Sequence, residues 1–116
     1  MIEGLEILTP SEKGYKRTVE FEKWLVATMT ASPDYKEENL KYLERHLESD
    51  EVFILMDGEA TLLIGLEKTK VPMEKFKVYN VKKNTWHAIF MNDDAKIIIV
   101  ENANTGMETS ELYNLK

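Results

Sequence analysis

The sequence predicts an all-β domain built as an antiparallel sandwich or barrel. Short apolar runs recur along the chain, turn residues separate them, and none alternates with a helical stretch of the kind a βαβ unit requires. Pro10, Pro33 and Pro72 all fall between these runs, where a missing backbone donor costs a sheet nothing.

Residues 21–30 (FEKWLVATMT) form the first run, rich in aromatic and β-branched residues that suit a pleated surface. In residues 34–42 (DYKEENLKY) a short helix or turn competes with strand. Strands are then expected at 52–56, 60–66, 76–81, 86–91 and 95–100. Between the first two lies Asp57-Gly58, a dipeptide that tolerates the positive φ of a tight turn, so 52–66 reads as a hairpin. A second hairpin is expected around Asn92, Asp93 and Asp94.

Alternation assigns faces, since neighbouring strand side chains point to opposite sides. Thr85, His87, Ile89 and Met91 share one face, while Trp86, Ala88 and Phe90 share the other; Glu51, Phe53 and Leu55 oppose Val52, Ile54 and Met56. Both faces of each strand are largely apolar. A sheet unfit for water on both sides needs a cover, either the N-terminal arm or a second subunit, and a homodimer is expected. Trp24, Trp86 and Phe90 read as packing or dimer residues, whereas Phe53, Tyr79, Ile89 and Met29 are the candidates to line a pocket.

At 116 residues the chain holds one domain, residues 1–116. Its net charge of -6, with lysines interleaved among acids, disfavours nucleic acid, which requires a basic stripe. With no cysteine, disulfides and thiolate ligands are excluded, and His, Glu and Asp remain as the strong metal ligands. No apolar stretch suits a secretory signal or a membrane span, so a soluble cytoplasmic protein is expected, with a small molecule or another protein as its partner.

The only histidines are His46 and His87. Glu44 lies two residues before His46 and shares its side of a strand; Glu51 has the opposite parity and reaches the same point only if the chain bends, for which Ser49-Asp50 is suited. Two imidazoles and two carboxylates suit Mn²⁺, Fe²⁺, Ni²⁺ or Zn²⁺ better than Cu(I) or Ca²⁺. Against this stands a plainer reading, in which Glu44, Glu48, Asp50 and Glu51 form a solvated acidic turn partnered by Arg45 and Lys41. That reading fails for any carboxylate facing inward, because two buried carboxylates repel and one takes up a proton. Lys82 and Lys83 flank the approach to His87 and read chiefly as solvated surface.

His46, four intervening residues, Glu51, six more and Gly58 resemble the second half of the first cupin motif, and His87 stands where the histidine of the second motif belongs. Glu44 replaces the first histidine of the pair, Lys82 and Asn84 replace a proline and a glycine, and Met91 occupies the place of the terminal asparagine, displaced to Asn92. The resemblance implies a double-stranded β-helix, or jelly roll, with an N-terminal arm (1–20), a barrel (21–105) and a C-terminal tail (106–116). It also implies a divalent transition metal (Mn, Fe, Ni or Zn) held by Glu44, His46, Glu51 and His87, with Glu44 as the candidate catalytic base. The activity implied is metal-dependent isomerase, lyase, hydrolase or dioxygenase chemistry on a small polar metabolite. The alternative is a non-catalytic module that binds a sugar or another small molecule.

Overall fold

The structure, a computed structural model, describes residues 2–10 and 13–116. Ten strands form two antiparallel sheets. The first has the spatial order β1 (Gly14–Phe21), β2 (Trp24–Thr30), β9 (Lys96–Asn102), β4 (Glu51–Asp57), β7 (Val78–Val81). The second has the order β10 (Ser110–Asn114), β3 (Tyr42–His46), β8 (His87–Met91), β5 (Ala60–Ile64), β6 (Thr69–Pro72). Alternate residues of each strand point between the sheets. Leu25, Ala27, Phe53, Leu55, Ile97 and Ile99 from the first meet Leu62, Ile89 and Met91 from the second in one buried core. Burying each large aliphatic side chain contributes about 1.5–3 kcal/mol, which makes this contact the main stabilising term.

The turns depart from the expected hairpins. β4 belongs to the first sheet and β5 to the second, so Asp57-Gly58 does not close a hairpin but carries the chain across the sandwich. The turn at Asn92–Asp94 likewise joins β8 to β9 in the opposite sheet. Jelly-roll winding demands these crossings, and a tight-turn dipeptide serves a crossing as well as a hairpin. True hairpins join β1 to β2 and β5 to β6. The first splits the run at 21–30, with Glu22 in the left-handed region (φ 49°), and Gly14–Phe21, within and just past the segment read as an arm, forms an edge strand. Within 34–42 lie two single 3₁₀ turns, Pro33–Tyr35 and Glu37–Asn39, followed by the start of β3.

The two crossing turns are bound to each other. Asn92 Oδ1 accepts the Glu59 N–H at 3.0 Å, and the Asn92 N–H returns to the Glu59 carbonyl at 3.0 Å. Gly58 has φ 73°, and a Cβ there would sit 2.5 Å from the backbone of Ala95. Both the dihedral and the space therefore require glycine. Among the described residues no helix is long and apolar enough to cross a membrane.

Gly58→Ala is expected to destabilise the fold by about 1–3 kcal/mol, read as a lowered denaturation midpoint in urea with unchanged slope. An unaltered midpoint would show that the two turns are not in tight contact.

Candidate functional site

The site forms where β3 leaves the second sheet and β4 enters the first. β3 ends at His46, the chain bends at Leu47 and Glu48, and β4 starts at Glu51. This bend lies just before the Ser49-Asp50 expected from the sequence, and it reverses the parity so that Glu51 turns inward beside His46. Asp50 then ties the corner down: its carboxylate accepts the Lys83 N–H at 2.9 Å and the Asn80 side-chain amide at 3.1 Å. Those bonds, with backbone Lys83 bound in this way, hold the Asp50 carboxyl below the usual carboxylate range. The Asn84 N–H donates to the His46 carbonyl at 2.7 Å, and Asn84 itself is left-handed at φ 67°, the conformation its glycine-equivalent place requires. The turn before β8 is thus pinned to the end of β3, and His87 emerges opposite Glu44.

The result is a buried constellation. His46 Nε2 and His87 Nε2 lie 2.8 and 3.1 Å from the same oxygen, Oε1 of Glu51. The two imidazole rings have centroids 5.2 Å apart, and Phe53 packs edge-on against His87 at 5.9 Å. His87 Nδ1 is 3.0 Å from the Thr85 carbonyl, which can only accept, so Nδ1 carries the hydrogen. Nε2 of that ring faces a carboxylate oxygen, and two lone pairs cannot share that approach. A proton or a cation must occupy it. His46 Nδ1 is 2.8 Å from the Ser110 hydroxyl, which donates or accepts as the ring requires.

Sequence reasoning missed Glu101. It closes an aliphatic strand (KIIIVE) and reads there as a charge leaving the sheet, yet it has the parity of Ile97 and Ile99 and turns inward with them. That parity was the available signal. Glu101 hydrogen-bonds Glu51 and accepts a hydrogen bond from the Tyr15 hydroxyl on β1. Burial, then the adjoining Glu51 carboxylate, pushes Glu101 up to about 8, so it holds a proton at neutral pH. Burial alone would raise Glu51 as well, but hydrogen bonds from His46, His87 and Glu101 outweigh it and hold Glu51 well below its ordinary value. For His46, burial lowers the affinity for a proton, and the Glu51 hydrogen bond and charge more than restore it, leaving a net rise. Burial, followed by Glu101, raises the Tyr15 hydroxyl.

Glu44 stands apart from the buried group. Its Oε1 is 3.8 Å from His46 Nε2, and its side chain is 38% exposed at the mouth of the site. Two sets of three ligand atoms each fall within 4.8 Å of one another: Glu44, His46 and His87, and His46, Glu51 and Glu101. The donor chemistry therefore fits a divalent cation, and the Thr85 carbonyl leaves His87 in the tautomer that offers Nε2. A cavity of about 670 Å³ opens onto the constellation. Phe53, Ile89 and Met29 line it; Tyr79 does not, its hydroxyl instead accepting the Glu74 N–H at 2.8 Å. Trp86 lies on the outer side, under the Arg45 guanidinium at 4.5 Å and against Tyr113.

Solved structures share this architecture. An RmlC-like protein of Methanocaldococcus jannaschii with a double-stranded β-helix superposes with a TM-score of 0.64 at 17% identity, over 88% of this chain and 92% of that one. The fold is that of the cupins. A uridine-bound variant of Streptomyces Pac13, described as a nucleoside dehydratase, gives 0.65 at 11% identity over 92% and 84% of the two chains. KdgF of a Halomonas species gives 0.59 at 12% identity over 90% and 94%. No family model matches the sequence. No curated protein matches it either.

A carboxyl that stays protonated in the fold but ionises in the unfolded chain stabilises most below its ordinary value of 4.5 and loses that contribution as pH rises through about 8. His46, raised above 6.5, adds a loss of the same sign above that value. In chelator-treated protein the melting temperature is expected to fall from roughly pH 5 to roughly pH 8, and Glu101→Gln should remove most of that fall. A melting temperature that rises across the interval contradicts the assignment.

Proposed function

We propose that this cupin-fold protein is a metal-dependent enzyme acting on a small polar metabolite, with His46, His87 and Glu51 holding a divalent transition ion and Glu44 completing the set. One observation carries the reading: both imidazole Nε2 atoms converge on a single buried carboxylate oxygen, from rings whose other nitrogens are already engaged. When bound, such an ion supplies Lewis-acid polarisation of an oxygen on the ligand.

The chain's own residues supply the remainder. Glu44 is the acid at the mouth with room to take a proton from a ligand, in keeping with a role as general base. Tyr15 and Glu101 hold a proton on the far side of Glu51, where it neutralises the second buried carboxyl. Phe53 and Ile89 exclude water from around His87 and act as ligand-contacting walls. The uridine found in the Streptomyces relative supports a small hydroxylated ligand in the corresponding cavity. The competing reading is a metal-free binding module, favoured by the fact that Glu51, His46 and His87 satisfy one another's hydrogen bonds.

Elemental analysis of purified protein beside a His87→Ala variant separates them. About one transition ion per chain, lost in the variant, is expected; a metal-free wild type that binds its ligand equally well in both forms would establish the module instead.

A homodimer is proposed on the outer face of the first sheet. There Val19, Val26, Val100 and Val52 lie in one cross-strand row, and Ile98, Ile54 and Val78 in the next. This aliphatic face has no charge at its centre, so a two-fold copy of itself is a matching partner. Ile54→Glu is expected to convert a dimer to monomer in light scattering; a wild-type monomer at high micromolar concentration rules the face out as a self-interface.

A further inference from the structure

We propose that Arg17 is an anion-binding residue of the cavity, and that the metabolite bound there is a small hydroxylated carboxylate. The proposal rests on the cavity being the ligand site proposed above, but not on the metal. Tyr15 and Arg17 pair with Met29 and Ala27 of β2, both in the buried core, so their side chains point between the sheets. The register then slips between Arg17 and Val19, and this bulge sends Val19 with Val26 to the outer face while the arginine two residues earlier faces in. Because β1 is an edge strand, the guanidinium lines the cavity and stays open to solvent, where a ligand reaches it.

Backbone, rather than an acid, holds the guanidinium in place. Nη1 donates to the Ala103 carbonyl at 3.2 Å and Nη2 to the Thr105 carbonyl at 2.6 Å. That turn is itself tied down, the Ala103 N–H donating to the Lys23 carbonyl at 2.9 Å and the Thr105 N–H to the Asn102 carbonyl at 3.1 Å. Among the described residues no carboxylate forms an ion pair with Arg17, so its charge is positioned but not neutralised. A guanidinium has five N–H donors, of which the two carbonyls take one each. Counting the neighbouring Tyr15 oxygen as a third acceptor, two donors remain, the number a carboxylate takes from an arginine. Binding there requires little further ordering of the side chain.

Charge selects the ligand class. Lys41 adds a second positive charge to the cavity wall, against Asp34 and Glu44, while Glu51 is occupied by the two histidines. A dianionic phosphate would meet two carboxylates with a single fixed guanidinium to offset them; a monoanionic carboxylate suits one guanidinium and is repelled less. Arg17 and the histidine pair line the same cavity of about 670 Å³, within the range of small-molecule sites. A ligand whose carboxylate meets Arg17 therefore has its hydroxylated remainder inside the cavity.

Calorimetric titration with gluconate, sorbitol and sorbitol 6-phosphate at neutral pH tests this, on wild type and Arg17→Gln, each as purified and after chelator treatment. Gluconate and sorbitol share a hydroxylated chain of equal length and differ in the charge at one end. Wild type is expected to bind gluconate about ten- to a hundredfold more tightly than sorbitol, the effect of hydrogen bonds to a charged group, and to do so with or without chelation. Arg17→Gln is expected to lose that preference with an unchanged near-ultraviolet circular dichroism spectrum. Arg17→Lys, which keeps the charge without the planar fork, is expected to lose about three- to tenfold in gluconate affinity, and it decides the matter where the glutamine variant does not fold. No gluconate binding by wild type, equal affinity for sorbitol, tighter binding of sorbitol 6-phosphate, a preference kept by Arg17→Gln, or wild-type affinity in Arg17→Lys each overturns the proposal. The two readings fail separately: a metal-free wild type whose gluconate preference still depends on Arg17 removes the metal alone, whereas a protein that holds its metal but shows no such preference removes the role of Arg17 alone.

Discussion

The site depends on one buried carboxylate oxygen, Glu51 Oε1, on which two imidazoles converge. A lone ionised carboxylate between two sheets would be prohibitively desolvated. Here His46, His87 and Glu101 surround and compensate it, and each comes from a different strand. The fold must therefore bring β3, β4, β8 and β9 to one corner. Jelly-roll winding does this by sending the chain from one sheet to the other between His46 and Glu51, and from β8 to β9 across the sandwich.

The corner is stiffened by groups that touch no ligand. Asp50 and the His46 carbonyl hold the turn before β8, the Thr85 carbonyl orients the His87 ring, and the Ser110 hydroxyl on the edge strand β10 meets His46. Such supporting bonds determine whether ring nitrogens point at an ion or merely lie near one. Glu101 and Tyr15 extend the same network to β1, so the edge strand contributes to the electrostatics of the site as well as to the sheet.

Much of this was legible in the sequence because it depended on local rules. The all-β class followed from short apolar runs, and the need for a bend between His46 and Glu51 followed from strand parity alone. The cupin resemblance puts Asn84 in the place of a motif glycine, and its φ of 67° suits that place, since asparagine enters the left-handed region more easily than most residues. What escaped depended on pairing between distant segments. Asp57-Gly58 specifies a turn but not which sheet receives the next strand, and the hairpin expected there is a crossing. Glu101 ends a run of aliphatics and carries no motif; only its parity with Ile97 and Ile99 marks it as inward. Tyr79 shares the inward face of its register partner Phe53 and packs against the core, yet it lies outside the cavity lining, its hydroxyl taken by the Glu74 N–H.

The central claim is that the two imidazoles hold a cation beside Glu51. An anomalous difference map from crystals of zinc-loaded protein tests it most directly. The account predicts a single strong peak at roughly 2.0–2.2 Å from Nε2 of both His46 and His87. Density showing both rings still hydrogen-bonded to Glu51, with no peak between them at saturating zinc, would contradict it.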